Sequence, residues 1–149
     1  MIQRVQTLFL LGIIGLSTIL FFMPFQVVKE GINTYFISLG QGSLMSLMKP
    51  TIYIPIALNF IIIILSAYTI FKYKRRSKQI KCAYIIMLLS GAMISSLLIP
   101  KFTKIESPEL IIHYTKYSMI PAINVFLAWF ARFFIKKDDK LVRSADRIR

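Results

Sequence analysis

The amino-acid sequence predicts an all-α membrane protein, a four-transmembrane-helix bundle built as a single domain over residues 1–149. Hydrophobic residues make up 56% of the chain and the mean hydropathy is +0.67, which is too apolar for a soluble domain of this length. The apolar residues fall into four runs, each bounded by lysine, arginine or proline. When the segments between the runs are assigned alternately to the two faces of a bilayer, most cations collect on one face, as in a membrane protein oriented by its charge.

The first span is predicted at residues 5–23. Its 19 residues would extend about 28 Å as a helix, close to a hydrocarbon core of about 30 Å. Arg4 followed by an apolar run is also typical of a signal peptide. The run ends in bulky residues, from Leu20 to Pro24, where signal peptidase requires small ones. We therefore expect this helix to be retained as a span.

The second and third spans are predicted at residues 51–71 and 82–98. The second must end where the basic residues of the loop 72–81 begin, because each cation would cost roughly 2.5–3.5 kcal/mol at the centre of a membrane helix. The third is expected to stop before Pro100. Since a short loop joins them, the two helices should be antiparallel neighbours.

The fourth span is predicted at residues 119–135, with Pro121 tolerated in its first turn. The tail, residues 136–149, keeps a helical pattern, so we expect one continuous helix of about 31 residues that projects roughly 20 Å beyond the hydrocarbon. Within this tail Asp139 precedes Arg143 by four residues. We expect the tail's carboxylates to pair locally, which stabilises a helix only weakly.

Two segments lie on the opposite face. The loop 24–50 contains enough apolar and aromatic residues for a short strand or an interfacial helix, followed by a turn at Gly40 to Gly42. The loop 101–118 mixes charged and aromatic residues, and we expect an ordered loop with its aromatic side chains at the level of the lipid headgroups.

Charge predicts the orientation. Fourteen of the 19 lysines and arginines, including every arginine, belong to the face that carries both termini, which gives a balance of +11 there against +2 on the other face. Because basic residues are retained on the cytoplasmic side, the sequence predicts that both termini are cytoplasmic. The other face holds five lysines, which are Lys29, Lys49, Lys101, Lys104 and Lys116.

The predicted cytoplasmic loop and tail together form a basic surface. Its many lysines and arginines indicate that it binds an anionic partner. Anionic lipid headgroups would attract it, and the fork of arginine also suits phosphate in an RNA or acidic groups on protein machinery such as a ribosome or translocon. Tyr73 is the sole aromatic residue among these cations, so base stacking has little support, and no DNA partner is expected. The candidate partner-binding residues are Lys72, Lys74, Arg75, Arg76, Lys78, Lys81, Lys136, Lys137, Lys140, Arg143, Arg147 and Arg149.

No catalytic, cofactor-binding or metal site is predicted. The spans contain no Asp, Glu, Lys or His, which are the residues that usually mark ion pathways within a membrane. Arg132 is expected to extend its side chain to the interface. Cys82 is the only cysteine, and His113 has only Glu106 and Glu109 nearby, too few ligands for a metal site.

A few polar and small residues within the spans are predicted to pack helices together. Asn59 and Asn124 can form hydrogen bonds between helices, each worth about 0.6–2 kcal/mol in a bundle. Small residues allow close approach of helices, and the pattern leaves open whether the neighbour belongs to the same chain or to another. These small residues are Gly12, Gly15, Gly91 and Ser95.

The two ends of the chain, Met1 to Thr7 and Lys136 to Arg149, resemble the bacterial membrane-protein family called domain of unknown function 4293, and four spans lie between them in the expected order. The resemblance implies a multi-pass protein of the bacterial inner membrane. It implies no activity, because the family has none assigned. It also suggests candidate contact residues, which are Gln3, Arg4, Arg143, Ser144, Asp146 and Arg147.

Three functions remain open at this point. The first is a non-enzymatic accessory or scaffold subunit of an inner-membrane complex that presents its basic surface to an anionic partner. The second is a small oligomeric transporter or channel, with a path lined by Asn59 and Asn124. The third is an integral membrane enzyme, which would need Glu106, Glu109 and His113 from the outer loops.

Overall fold

The computed structural model describes residues 3–30, 32–40, 49–73, 75–102 and 110–146. This part of the chain forms four long helices and a three-stranded sheet. In chain order the elements are α1 (Gln3–Phe22), β1 (Gln26–Glu30), β2 (Asn33–Ile37), α2 (Lys49–Phe71), α3 (Arg76–Phe102), β3 (Leu110–Tyr114), a 3-10 helix (Lys116–Met119) and α4 (Ile120–Asp146).

The four helices are each long and apolar enough to cross a membrane, which confirms the predicted four-helix architecture. They pack in the cyclic order α1, α2, α3, α4, with α4 closing against α1. Only 28% to 33% of each candidate span is buried inside the protein. Most of the apolar surface therefore faces outward, an arrangement suited to hydrocarbon and costly in water.

Aromatic and small residues bring α1 and α4 together. The ring of Phe9 lies 5.7 Å from that of Phe130 and 5.6 Å from that of Phe134, measured between centroids, and both pairs are stacked. One turn further along α1, a Cβ added to Gly12 would lie 3.5 Å from Leu127 Cδ1. Large rings thus fill one part of the interface, and the missing side chain of glycine permits close approach in the next.

The sheet covers the end of the bundle at which α1 ends and α4 begins. β1 is its central strand and pairs antiparallel with β2 and β3, so that Val28 lies opposite both Tyr35 and Ile112. Val28 and Ile37 are buried and join the same hydrophobic core as Leu97 of α3. The sheet is therefore packed onto the helices and does not stand apart from them.

Hydrogen bonds also join the sheet to the helices. The carbonyl oxygen of Leu97 accepts from Gln26 Nε2 and from the Tyr114 hydroxyl, each at 3.1 Å. Thr115 donates through its amide to the Phe25 carbonyl at 3.1 Å and through its hydroxyl to the Pro24 carbonyl at 2.6 Å. These two hydrogen bonds fix the segment that enters α4 to the segment that leaves α1. They also give partners to backbone groups that lie away from water and would otherwise have none.

The four helices agree with the all-α bundle predicted from the sequence, and the described residues add a small sheet that the predicted class did not include. The loop 24–50 forms the hairpin of β1 and β2, the strand alternative of the prediction, and Gly40 lies in a turn, whereas Gln41 and Gly42 fall outside the described residues. The loop 101–118 contains β3 and the 3-10 helix. Each strand has five residues, and β3 is distant from β1 in sequence, so no local pattern reveals their pairing.

Helix α3 is longer than predicted at both ends. It begins at Arg76, so the predicted loop 72–81 shrinks to residues 72–75, and it continues past Pro100 to Phe102. Lysine and arginine are good helix formers, so a basic segment can continue a helix outside the membrane. Membrane helices also tolerate proline where neighbouring groups satisfy the backbone. Helix α4 runs without a break through Ile135 to Asp146, as the sequence predicts.

We predict that Gly40→Ala destabilises the protein by about 1–3 kcal/mol, the usual cost of overpacking. A Cβ at this position would lie 2.9 Å from Phe21 Cε1 and 3.0 Å from the Phe21 carbonyl oxygen, which already accepts a hydrogen bond from the Gly40 amide. Thermal unfolding in detergent measures the effect. Gly15→Ala is the control because nothing lies within 4 Å of its added Cβ; equal losses in both variants would contradict the packing argument.

Candidate anionic-partner interface

The predicted cations of the loop and tail gather at one end of the bundle, which we call the basic end. There α1 and α3 begin, and α2 and α4 end. A cleft of about 510 Å³ lies where the four helices meet. Its lining residues come from all four helices and from the loop that joins α2 to α3: Gln6, Thr7, Leu8, Leu11, Ile70, Phe71, Tyr73, Arg76, Gln79 and Asp138. Segments distant in sequence thus form one surface, opposite the sheet.

Most of the described cations at the basic end are exposed. The side chains of Lys72 and Arg76 are half-buried. Lys74, Arg147 and Arg149 lie outside the described residues, as does the side chain of Arg143. The exposed cations are Arg75, Lys78, Lys81, Lys136, Lys137 and Lys140.

Arg76 differs from these cations because it is bound within the protein. Its Nη2 lies 3.3 Å from Asp138 Oδ2, and its Nη1 donates to the Asp138 carbonyl oxygen at 3.1 Å. The side chains are only 21% and 14% exposed. Asp138 therefore pairs with the neighbouring helix α3, whereas the sequence predicted local pairing within the tail. This contact ties the start of α3 to the projecting part of α4.

The cleft at the basic end has amide groups in its wall. Gln79 Nε2 donates to the Thr69 carbonyl at 3.0 Å and so joins α3 to the end of α2. Gln6 is 4% exposed, and its Nε2 has no hydrogen-bond partner. The one cation and the one carboxylate in the lining, Arg76 and Asp138, are bound to each other. The cleft thus has an unpartnered but shielded donor in its wall and no net charge.

Arg132 lies deeper in α4 than the basic tail. The sequence predicted that its side chain extends to the interface. In the structure its Cζ lies 4.8 Å from the centroid of the Tyr84 ring on α3, a cation–π arrangement. Its Nε is shielded from solvent and has no hydrogen-bond partner.

The two asparagines predicted to pack helices meet at Ser17 of α1. Asn59 Nδ2, from α2, donates to the Ser17 carbonyl at 3.0 Å, and Asn124 Nδ2, from α4, donates to Ser17 Oγ at 3.0 Å. All three side chains are buried. The Oδ1 atoms of both asparagines have no partner. This polar layer joins three helices within one chain.

The small residues singled out from the sequence are placed differently from one another. Gly12 faces α4, whereas no atom lies within 4 Å of a Cβ added to Gly15 or Gly91. Ser95 is exposed and donates to the Gly91 carbonyl, in its own helix, at 3.3 Å. Of these four positions, the structure therefore brings Gly12 against another helix of the same chain.

The residues considered for catalysis or metal binding are not assembled in the described part of the chain. His113 is exposed on β3, with its backbone opposite Val27, and Glu106 and Glu109 lie outside the described residues. Cys82 is a half-buried free thiol. Among the described residues, no three His, Cys, Asp or Glu side chains group in a way that could hold a metal ion.

We predict that Arg76→Gln increases hydrogen exchange in residues 138–146, because it removes the contact that ties α4 to α3 and leaves a half-buried carboxylate unpaired. Lys78→Gln, an exposed cation on the same helix, should leave exchange unchanged. Adding Asp138→Asn to Arg76→Gln should cause little further increase, because the two changes remove one interaction. Independent effects of the two substitutions would refute the pairing as the cause.

For the polar layer, we predict that Ser17→Ala lowers the free energy of unfolding in detergent by about 0.6–2 kcal/mol, the range for polar contacts between membrane helices. It removes the acceptor of Asn124 and leaves the carbonyl that Asn59 uses. Thr18→Ala is the control, since Thr18 is exposed and its hydroxyl donates within its own helix, to Ile14. A loss as large in the control would show that Ser17 does not act through Asn124.

The sequence model of the family described as domain of unknown function (DUF4293) matches residues 2–148. No curated protein and no solved structure matches the chain.

Proposed function

The chain belongs to the DUF4293 family, and we propose that it is a non-enzymatic accessory or scaffold subunit of a bacterial inner-membrane complex whose basic end binds an anionic partner. We place both termini and the basic end on the cytoplasmic side. One observation carries the proposal: exposed cations from α3 and α4 lie together at one end of an otherwise apolar bundle.

Two features favour a macromolecular partner of this surface. The part of α4 from Lys136 to Asp146 has 11 residues and extends the helix by roughly 16 Å. This segment carries the exposed side chains of Lys136, Lys137 and Lys140. The contact of Arg76 with Asp138 fixes its first turn to α3. A supported helix that projects cations can reach acidic groups of a protein or phosphates of an RNA beyond the lipid headgroups.

The charge segregation also supports the proposed orientation. A cytoplasmic location for the basic end follows the positive-inside rule, and anionic lipids of that leaflet would attract the same cations by about 1 kcal/mol each near the surface. At the opposite end the cations whose side chains the structure describes are Lys29 and Lys116. A reporter fused to the C-terminus tests this orientation, because an extracytoplasmic signal would reverse it.

A second candidate is a small oligomeric transporter or channel. The observation that favours it is the pair of buried, unpartnered Oδ1 atoms of Asn59 and Asn124, since polar groups within membrane helices often mark a transport path. Because these residues join helices inside one chain, a path would require several chains. A strictly monomeric particle in lipid nanodiscs would exclude this candidate.

We predict that Lys136→Gln, Lys137→Gln and Lys140→Gln combined abolish recovery of partners in affinity purification from membranes in mild detergent. Recovery by the unaltered protein should fall steeply as salt rises, as expected for contacts between cations and phosphates or carboxylates. The matched control, Lys29→Gln with Lys116→Gln, removes exposed cations from the sheet end and should retain partners. The proposal would be overturned if the protein were recovered without partners. It would also be overturned if partner recovery depended neither on salt nor on the triple substitution.

A further inference from the structure

Arg132 is a cation in an apolar part of the protein. It lies within a helix segment apolar enough to span a membrane and precedes Asp138 by six residues, which places it about 9 Å deeper along α4. An arginine within a membrane span has a high free energy unless it pairs with an anion or reaches water. A counter-ion near Arg132 would therefore stabilise the protein.

The described structure supplies Arg132 with an aromatic face but no carboxylate partner. Its guanidinium lies over the ring of Tyr84, which offsets part of the cost of burial, and its Nε has no hydrogen-bond partner. Asp138 is engaged by Arg76. The Arg132 side chain also lines a depression at the protein surface, where an acceptor from outside the protein can reach its guanidinium.

Two adjoining depressions make a groove beside Arg132, along α4 next to α3. They measure about 560 and about 130 Å³ and share Phe133 and Lys136. Four cations and one carboxylate line them, a formal balance of +3. The cations Arg132, Lys136 and Lys140 follow one another every four residues, so they lie on one face of α4 over about 12 Å. The lining residues are Ile80, Trp129, Arg132, Phe133, Lys136, Lys137, Asp139 and Lys140.

The deep end of this groove has an apolar aromatic wall. Trp129 and Phe133 are 50% and 53% exposed, and their rings stack at 6.1 Å between centroids. One turn further from the basic end, Phe126 continues the exposed apolar surface of α4. A ligand that fills the groove would thus meet cations at one end and hydrocarbon-like surface at the other.

The cleft lined by Gln6 provides a contrast at the same end of the bundle. It has a similar volume, about 510 Å³, and an unpartnered amide donor, but its cation and its carboxylate neutralise each other. Electrostatic attraction therefore favours the groove at Arg132 for an anion. The basic groove is also the one whose lining leads directly into the exposed rings of α4.

We propose that the groove beside Arg132 binds a phospholipid with an anionic headgroup. The phosphate accepts hydrogen bonds from Arg132 and Lys136 at the level where the hydrocarbon ends, and an acyl chain lies along Trp129 and Phe133. Basic pockets between membrane helices on the cytoplasmic side are suited to such headgroups, and charge-assisted contacts with phosphate are among the stronger hydrogen bonds. This site shares Lys136, Lys137 and Lys140 with the proposed partner surface, but it requires no partner protein or RNA.

Native mass spectrometry of the purified full chain tests the proposal. Protein in detergent micelles is mixed with phosphatidylglycerol or with phosphatidylcholine of the same acyl chains, and the lipid-bound fraction is measured. We expect preferential retention of phosphatidylglycerol and a loss of about tenfold or more in affinity for Arg132→Gln, in line with the loss of a charged hydrogen bond. Arg132→Lys should restore part of the affinity.

The control is Lys116→Gln, because Lys116 also lies over an aromatic ring, that of Tyr117 at 5.4 Å, but at the sheet end; it should bind phosphatidylglycerol normally. Lys136→Gln changes an exposed residue and should weaken binding even if Arg132→Gln fails to fold. Equal retention of both lipids, unchanged binding in Lys136→Gln, or complete displacement by inorganic phosphate would overturn the proposal. Because the assay contains no partner protein or RNA, such a result would overturn the lipid site alone. The proposed function is tested independently by partner recovery through the tail.

Discussion

The free energy of placing charge in hydrocarbon is the constraint on which the rest of this structure depends. A lysine or arginine at the centre of a membrane helix costs several kcal/mol, and the described cations other than Arg132 lie near helix ends, in the projecting part of α4 or beside the sheet. The same constraint explains the continuous apolar surface of the four helices. It also makes Arg132 informative, because a cation kept at that depth needs an anion, and its surroundings favour one supplied from outside the chain.

Association of the helices needs specific contacts, because hydrocarbon solvates an apolar side chain as well as a neighbouring helix does. Three kinds of contact meet this need here. Stacked rings and Gly12 join α1 to α4, Ser17 joins α1 to α2 and α4 through two asparagines, and Arg76 joins α3 to α4 at the basic end. The contacts lie at different depths, so together they fix the arrangement of the bundle along much of its length. The sheet adds a fourth attachment, at the opposite end, through the carbonyl of Leu97.

The two ends of the bundle therefore differ in packing and in the exposure of their charged groups. The sheet end is closed by backbone pairing and by buried side chains such as Phe25 and Val28. Most of the cations described at the basic end are exposed, and this end contains a neutral cleft and a cationic groove. Rigid attachment at one end and accessible charge at the other suit a protein that is held in the membrane and binds something at one surface. This contrast supports the proposed role of an accessory subunit with a lipid bound beside its docking helix.

Sequence alone determined the four helices, the separation of charge and the continuity of α4 beyond Ile135, because hydropathy and helical periodicity are local properties that a single segment expresses. It also singled out Asn59 and Asn124 as polar residues in need of partners. Only the tertiary structure decided what those partners are: Ser17 for both asparagines, Asp138 for Arg76 and the ring of Tyr84 for Arg132. Likewise β3 pairs with β1 from a distant part of the chain. Each of these contacts joins residues far apart in sequence, and their meeting depends on how the helices pack, which no local pattern encodes.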